Sequence, residues 1–263
     1  MKHVFAVCAY GESPYLESCI RSLLGQSVRP EILLCTSTPS AFLREIAARY
    51  GLPLFVRDGA SSLKEDWNFA VETAVGQRQA ELVTLAHQDD VYHRDYLKVL
   101  LRAAALYPDL LLFCTRYRTI GADGAPFPTF AERVKRFLRL PLRLRRIADR
   151  RLIKRLPLLF GNGIGCPSCS YRIAGTGLPL FREDARFVLD WLTLLRLADL
   201  PGRFVCAEKE LLDYRVHEGA ETRRNIADHN REREELKVFS RLWPAPVPSV
   251  IMFFYKLAYR DYR

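Results

Sequence analysis

The stretch Glu81–Asp90, ELVTLAHQDD, is a short apolar run that stops on two adjacent carboxylates. Leu82, Val83, Thr84, Leu85 and Ala86 make a continuous apolar run of strand length, which predicts one buried strand. Asp89 and Asp90 then stand at the carboxyl end of that strand, where open α/β sheets gather their ligands. Neighbouring carboxylates repel each other unless a cation lies between them or water covers them. A hard divalent metal carrying phosphate oxygens is one reason to build such a place. A solvated Asp-Asp turn opening the next helix is the plain alternative, and the rest of the chain decides between the two.

On either side of this stretch, strand and helix alternate. Val4–Cys8 reads as a strand and Ser13–Leu24 as a helix, with Tyr15, Leu16, Cys19, Ile20, Leu23 and Leu24 at helical spacing. Ile32–Cys35 is a second strand, and Ser40 caps a helix that Gly51 stops. Pro53–Val56, helix Leu63–Val75, helix Asp95–Leu106 and strand Leu110–Cys114 follow. Repeated βαβ units predict an α/β fold with a mainly parallel sheet between helices. The alternation breaks after the turn Gly121-Ala122-Asp123-Gly124. Beyond it lie a strand at Ser168–Ile173, a helix at Glu183–Ala198 and a last strand at Leu211–Val216. A charged helix over Asn225–Leu242 and an aromatic tail, Pro248–Tyr262, close the chain as a helical extension.

The 263 residues are 49% hydrophobic and 27% charged, a globular composition with a sizeable core. The net charge of +10 is local: Arg133 to Arg155 holds eleven Lys or Arg residues and one acid, Asp149. A local basic patch implies a local anionic partner. The cysteines at 8, 19, 35, 114, 166, 169 and 206 are odd in number and dispersed, which argues for reduced thiols in a cytosolic setting. Cys166 and Cys169 form a lone C-x-x-C, whereas a structural zinc needs four ligands. No signal-peptide pattern opens the sequence, and no run approaches the roughly 20 apolar residues of a membrane span. The expectation is a cytoplasmic protein, peripheral on the inner face of the cell membrane.

The first βα turn, Ala9-Tyr10-Gly11-Glu12-Ser13, carries neither G-x-G-x-x-G nor a Walker pattern. Five segments in order instead resemble the family 2 glycosyltransferases: VFAVCAYGESPYLESCIRSLLGQS, DWNFAVETA, LAHQDDVYHRDYL, FVLDWLTLLRLA and YRVHEGAET. The resemblance runs from Val4 to about Thr222 and implies the GT-A fold, a Rossmann-like, mixed and mainly parallel sheet. It divides the chain into a transferase domain over 1–222 and a helical tail over 223–263. Within the domain, 1–115 is the nucleotide-sugar half and 116–222 the acceptor half with its basic insert, 130–160.

Such enzymes move a sugar from a nucleotide diphosphate to an acceptor hydroxyl, and a bound Mn²⁺ or Mg²⁺ offsets charge on the departing diphosphate. By the resemblance Asp90 is the direct metal ligand, and Asp89 contacts the ribose or a metal-bound water. Gln88 replaces the first Asp of a D-x-D pattern. Asp190 is the candidate base of an inverting displacement, since it interrupts an apolar helix stripe where a charge needs a cavity. A surface pair with Arg186 or Arg196 is the alternative. Asp184 is a competing base, better explained by a helix N-terminus. His217 completes metal or phosphate binding, and Arg215, or Arg223 and Arg224, clamp phosphate oxygens. Ala9 and Tyr10 of the first turn border the donor. Thr36 and Ser37 stand where relatives carry a base-reading acid, with Asp58 and Lys64 as compensating contacts. His87 packs under the strand end, and Asn68 is scaffolding.

The basic insert interleaves arginines with Val134, Phe137, Leu138, Leu140, Leu142, Leu144 and Ile147, an amphipathic cationic composition suited to an anionic membrane surface. The tail, 248–263, with Ile251, Met252, Phe253, Phe254 and Tyr255, adds a second anchor. The alternative is that both segments cover the protein's own core. No nucleic-acid-reading motif accompanies the charge. The expected partners are a nucleotide-sugar donor and a glycan or lipid-linked acceptor, in surface polysaccharide or glycolipid assembly. Two rivals are a sugar nucleotidyltransferase, which needs a basic Gly-rich first loop, and a non-catalytic membrane-docked scaffold of the same fold.

Overall fold

The structure, a computed structural model, describes residues 1–217 and 230–255. One eight-stranded sheet runs in the order β3-β2-β1-β4-β7-β6-β8-β5. Strands β1 (His3–Cys8), β2 (Ile32–Thr36), β3 (Leu54–Val56) and β4 (Leu82–His87) are mutually parallel. They read as near-continuous apolar runs because helices cover both faces. Strand β6 (Leu110–Ile120) pairs in parallel with β8 (Arg203–Arg215). Strands β5 (Val91–Tyr92) and β7 (Ser170–Arg172) join antiparallel, β7 bridging the two halves between β4 and β6.

Helices α1 (Leu16–Leu24), α2 (Ala41–Tyr50), α3 (Leu63–Arg78) and α4 (Tyr96–Leu106) follow the first strands as their spacing predicts. Ser40 Oγ accepts from Leu43 N at 3.2 Å and Gly51 closes α2 at φ 61°, a left-handed position that suits glycine. The basic insert folds as α5 (Phe130–Leu138), two short 3₁₀ turns and α6 (Arg151–Leu159). Further along are α7 (Ile173–Thr176), α8 (Leu189–Ala198), α9 (Asn230–Leu242) and α10 (Val247–Tyr255). The expected helix start at Asn225 lies outside the described residues.

Three expectations change. The helix expected over Glu183–Ala198 begins only at Leu189. The Glu234 carboxylate on α9 accepts from the backbone N–H groups of Arg186, Phe187 and Val188, at 3.0, 2.8 and 3.1 Å. That carboxylate caps the segment from a distant helix, so 183–188 runs as a loop. Strands β6 and β8 extend well past Leu110–Cys114 and Leu211–Val216. Cross-strand pairs of Arg116 with Glu210 (2.6 Å) and Arg118 with Asp213 (2.9 Å) hold the polar part of that ladder. Part of the basic insert packs inward: Arg139 and Lys154 are buried, and Lys154 Nζ donates to the Leu200 and Gly202 carbonyls beside α8.

A buried polar chain ties the central strands. His3 Nε2 meets Thr84 Oγ1 at 2.7 Å, Thr84 Oγ1 meets Ser170 Oγ at 2.5 Å, and Tyr96 OH reaches Ser170 Oγ at 3.0 Å. Burial pushes the His3 imidazole down to about 3, so it is neutral when folded. The unfolded chain protonates near 6.5. With the folded value depressed, this contribution is whole well above 6.5 and is lost as pH falls toward 3. Urea titrations should show wild type losing about 2 kcal/mol by pH 5 relative to a His3→Asn variant. Parallel pH profiles for the two proteins would remove that account.

Candidate active site

The carboxyl ends of β1, β2 and β4 open into a cavity of about 1360 Å³. Ala9, Tyr10, Thr36, Lys64, Asp89, Asp90, Asp190, Arg215 and His217 all line it. The apolar run of β4 ends where the sheet ends, which puts the two carboxylates on the floor of the opening. The two halves of the chain thus share one hollow, lined by Asp89 and Asp90 just past β4 and by Asp190 from α8.

The two adjacent carboxylates have different surroundings. Asp90 is buried; its Oδ1 accepts from Arg215 N at 2.9 Å, and its Oδ2 has no partner among the described residues. Burial pushes its carboxyl well above the usual range, with the Arg215 N–H opposing. Asp89 Oδ1 accepts from Ser13 Oγ at 2.9 Å, and its Oδ2 lies 3.2 Å from His217 Nε2. The His217 ring rests against Tyr15, 4.7 Å between centroids, and its Nε2 is buried without an aligned hydrogen bond. One carboxylate oxygen and one imidazole nitrogen therefore face each other with unspent lone-pair capacity.

Gln88 has a structural reason for being an amide. Its Oε1 accepts from Tyr10 N at 2.9 Å and its Nε2 donates to Tyr10 O at 3.0 Å, pinning the first βα turn to the end of β4. A carboxylate there would have no N–H to give. Arg215 also spends its donors on backbone. Nε donates to Asp89 O (2.9 Å), Nη1 to Gly121 O and Ala122 O (2.9 and 3.2 Å), and the guanidinium lies 4.6 Å over Tyr15. Arg215 thus locks the acidic tip in place. Arg223 and Arg224 lie outside the described residues.

Asp190 stands in the first turn of α8, half-buried on the cavity wall. Oδ1 accepts from Trp191 N at 2.8 Å and Oδ2 from Asn162 Nδ2 at 2.7 Å. Neither bond is to an arginine: Arg196 turns to the Leu180 carbonyl, 2.6 Å from Nη2, and the Arg186 backbone is held by Glu234. Burial raises the Asp190 carboxyl, while Lys135 and the two N–H donors pull it back down. Asp184 lines the same cavity but is exposed.

Two of the expected donor contacts lie off the cavity. Asp58 is exposed and engages Arg57 only through its carbonyl. The Ser37 hydroxyl is buried with no partner among the described residues and does not line the opening. Glu65 and Asp66, both in the first turn of α3, line this end, and Asp66 is held by Arg57 Nε at 2.8 Å and Ser61 Oγ at 2.6 Å. Its signal in the sequence is a carboxylate just after the Ser62 cap, a position that helix electrostatics favours. Asn68 bonds Phe181 through both its amide atoms and its role is scaffolding. His87 packs against Trp67, 5.2 Å between centroids, and burial pushes it down to about 4.

Among the described residues no three ligand-type side chains converge on one point. The cavity lining nevertheless carries eight carboxylates against five lysine and arginine side chains.

Solved structures share this architecture. S. aureus TarS 1-349 superposes with a TM-score of 0.59 at 16% identity, covering 82% of this chain and 60% of that one. The same TarS fragment in complex with UDP-GlcNAc gives 0.59 at 18%, covering 84% and 60%. This chain thus spans less than two thirds of the TarS fragment. A mannosyltransferase from Pyrobaculum calidifontis, PcManGT, in complex with GDP-Man and Mn²⁺, gives 0.60 at 15%, covering 98% and 69%. At such identities the likeness is one of fold, the GT-A fold of glycosyltransferases. No curated protein sequence matches the chain. The sequence model for glycosyl transferase family 2 matches residues 4–162. That match takes in β1 to β4 and the acidic tip, covers more than half of the sequence, and shows that the chain belongs to glycosyl transferase family 2.

Proposed function

We propose that this protein is a metal-dependent, inverting transferase that moves a sugar from a nucleotide diphosphate to an acceptor hydroxyl. The observation that carries the reading is the single cavity joining the Asp89–His217 pair to Asp190. Asp89 and His217 are the residues that would hold a divalent cation. Asp90 becomes the buried anchor that fixes the tip through Arg215 N, in place of the ligand role expected for it. Two protein ligands suit such an ion, because diphosphate oxygens and water fill much of its coordination sphere. When bound, the cation supplies Lewis-acid neutralisation of the leaving diphosphate.

The chain's own residues do the rest. Asp190 accepts the acceptor hydroxyl's proton as the new C–O bond forms at the anomeric carbon. The bond to the diphosphate breaks on the opposite face and its electron pair leaves with the phosphate oxygen. A carboxylate raised by burial is a stronger proton acceptor than a solvated one. Asn162 aims that carboxylate, because its own Oδ1 is occupied by Ile164 N at 3.2 Å and only its NH₂ is left to donate. Asn162→Ala should therefore raise the acid limb of the kcat/KM pH profile, since a donor that favours the ionised form is lost. An unshifted limb would reduce Asn162 to packing.

Ala9, Tyr10, Thr36 and Lys64 border the donor, with Asp66 the acid nearest that role. The acceptor is a glycan or lipid-linked sugar of surface polysaccharide or glycolipid assembly. The basic insert and the tail serve an anionic membrane face, and no described helix is long and apolar enough to cross a bilayer. The direct test is a thermal-shift screen of nucleoside diphosphates with and without Mn²⁺. A nucleotide at a hundredfold excess over its Kd should stabilise the protein by about 3 kcal/mol, and only with the metal. Stabilisation indifferent to metal would end the metal-dependent reading.

A further inference from the structure

We propose that the rim of the cavity's acceptor end is a docking patch for an anionic lipid bilayer, formed by Phe137, Phe160, Phe253 and Phe254 with Arg133 and Arg136. This deepens the reading above and rests on it only for what the cavity does once docked. Phe253 and Phe137 are 72% and 70% exposed, Phe254 61% and Phe160 47%. Each comes from a segment that also contributes a cavity-lining side chain: Lys135 on α5, Asn162 on the 160–163 loop, or Tyr255 on α10.

These aromatic side chains come from three segments that meet. A Cβ on Gly163 would stand 2.9 Å from Leu138 Cβ, and one on Gly161 would stand 2.6 Å from Tyr255 Cε2. The 160–163 loop is therefore clamped between the end of α5 and the end of α10, and the Phe160 ring lies tilted against Trp243, just past α9, at 5.0 Å between centroids. Phe253 and Phe254 pack edge to face at 5.4 Å and still present their surfaces outward. The result is a set of exposed aromatic side chains on three touching segments that border the cavity.

Charge complementarity names the occupant. Several cations of the basic insert are satisfied internally: Lys154 on carbonyls, Arg151 and Arg155 on Asp199 at 2.7 and 2.8 Å, and Arg143 on Glu208 at 2.6 Å. Arg133 and Arg136 on α5 stay exposed beside Phe137. Soluble surfaces seldom leave clustered aromatic side chains open without a partner. Aromatic side chains backed by arginine suit the interface of an anionic membrane, where the rings enter the headgroup boundary and the cations meet the lipid charge. Docked this way, the mouth near Asp190 faces the headgroups, and an acceptor hydroxyl on a lipid carrier reaches the base without leaving the bilayer.

Vesicle co-sedimentation tests this with the full chain. The wild type is expected to pellet with phosphatidylcholine vesicles containing phosphatidylglycerol, and to stay in solution with phosphatidylcholine alone. The triple variant Phe137→Ser, Phe253→Ser, Phe254→Ser should bind at least about tenfold more weakly. Its circular dichroism and its nucleotide-dependent thermal shift should match wild type. Should that variant misfold, Arg133→Glu with Arg136→Glu must give the same loss. Wild type remaining in solution with anionic vesicles, or a folded variant binding as wild type does, would overturn the proposal. So would a dimer that only the triple variant dissolves, which would assign the patch to a second copy of the chain. Vesicle binding without any nucleotide-dependent stabilisation would instead remove the transferase reading and leave the patch standing.

Discussion

Asp190→Asn is expected to slow sugar transfer roughly a thousandfold, about 4 kcal/mol of transition-state stabilisation, while nucleotide binding stays intact. The amide keeps the shape of the side chain and can still accept from Trp191 N, so α8 should not move. It cannot take a proton at neutral pH. The readout is initial rates of nucleoside diphosphate release with and without acceptor, beside the thermal shift with nucleotide and metal. Asp184→Asn is the companion, because both carboxylates line the same wall and only Asp190 is fixed in aim by two N–H donors. An Asp190→Asn protein that retained a tenth of the wild-type rate would disqualify this residue as the base. A normal thermal shift with vanished transfer would leave the donor half of the proposal intact.

The second large effect separates the adjacent carboxylates. Asp89→Asn should abolish the metal-dependent part of nucleotide stabilisation, about 3 kcal/mol at a hundredfold excess of nucleotide over Kd. Its Oδ2 is the atom 3.2 Å from His217 Nε2, and an amide oxygen is a far poorer ligand for a hard cation. Asp90→Asn should act differently. Its Oδ1 can go on accepting from Arg215 N, while a buried carboxyl that resists ionisation is gone. The Asp90 carboxyl is raised in the folded state, so wild type loses stability relative to Asp90→Asn as pH climbs above the ordinary carboxylate range. Urea titrations in the presence of a chelator would show that difference. If Asp90→Asn abolishes the metal effect and Asp89→Asn spares it, the ligand roles proposed for the two are reversed.

Much of the amino-terminal half could be read without coordinates, since its signals are local. The apolar run of β4 and its acidic tip, the Ser40 cap and the Gly51 stop are each set by residues within a few positions of one another. The carboxy-terminal half depends on distant partners. Nothing between Glu183 and Val188 reveals that a carboxylate at position 234 satisfies three of its N–H groups, so the helix was expected to start too early. The long β6–β8 ladder was cut short for a related reason. Thr115–Ile120 is mostly polar, with consecutive polar pairs at Thr115-Arg116 and Arg118-Thr119, and its arginines become strand residues only once Glu210 and Asp213 stand opposite. Asp58 and Asp66 show the same contrast: proximity to a strand end favoured the first, whereas the fold of Arg57 brings the second to the cavity.

The brace from Glu234 bears on how this enzyme class can be recombined. The stretch matched by the family ends at residue 162, and both Asp190 and the helix that supports its approach lie downstream of that boundary. A chimera that keeps the amino-terminal portion and borrows another homologue's tail would exchange the brace beside Asp190, the residue proposed as proton acceptor, along with it. Grafting experiments in this family should accordingly move the carboxy-terminal helix together with the 186–188 segment that it braces.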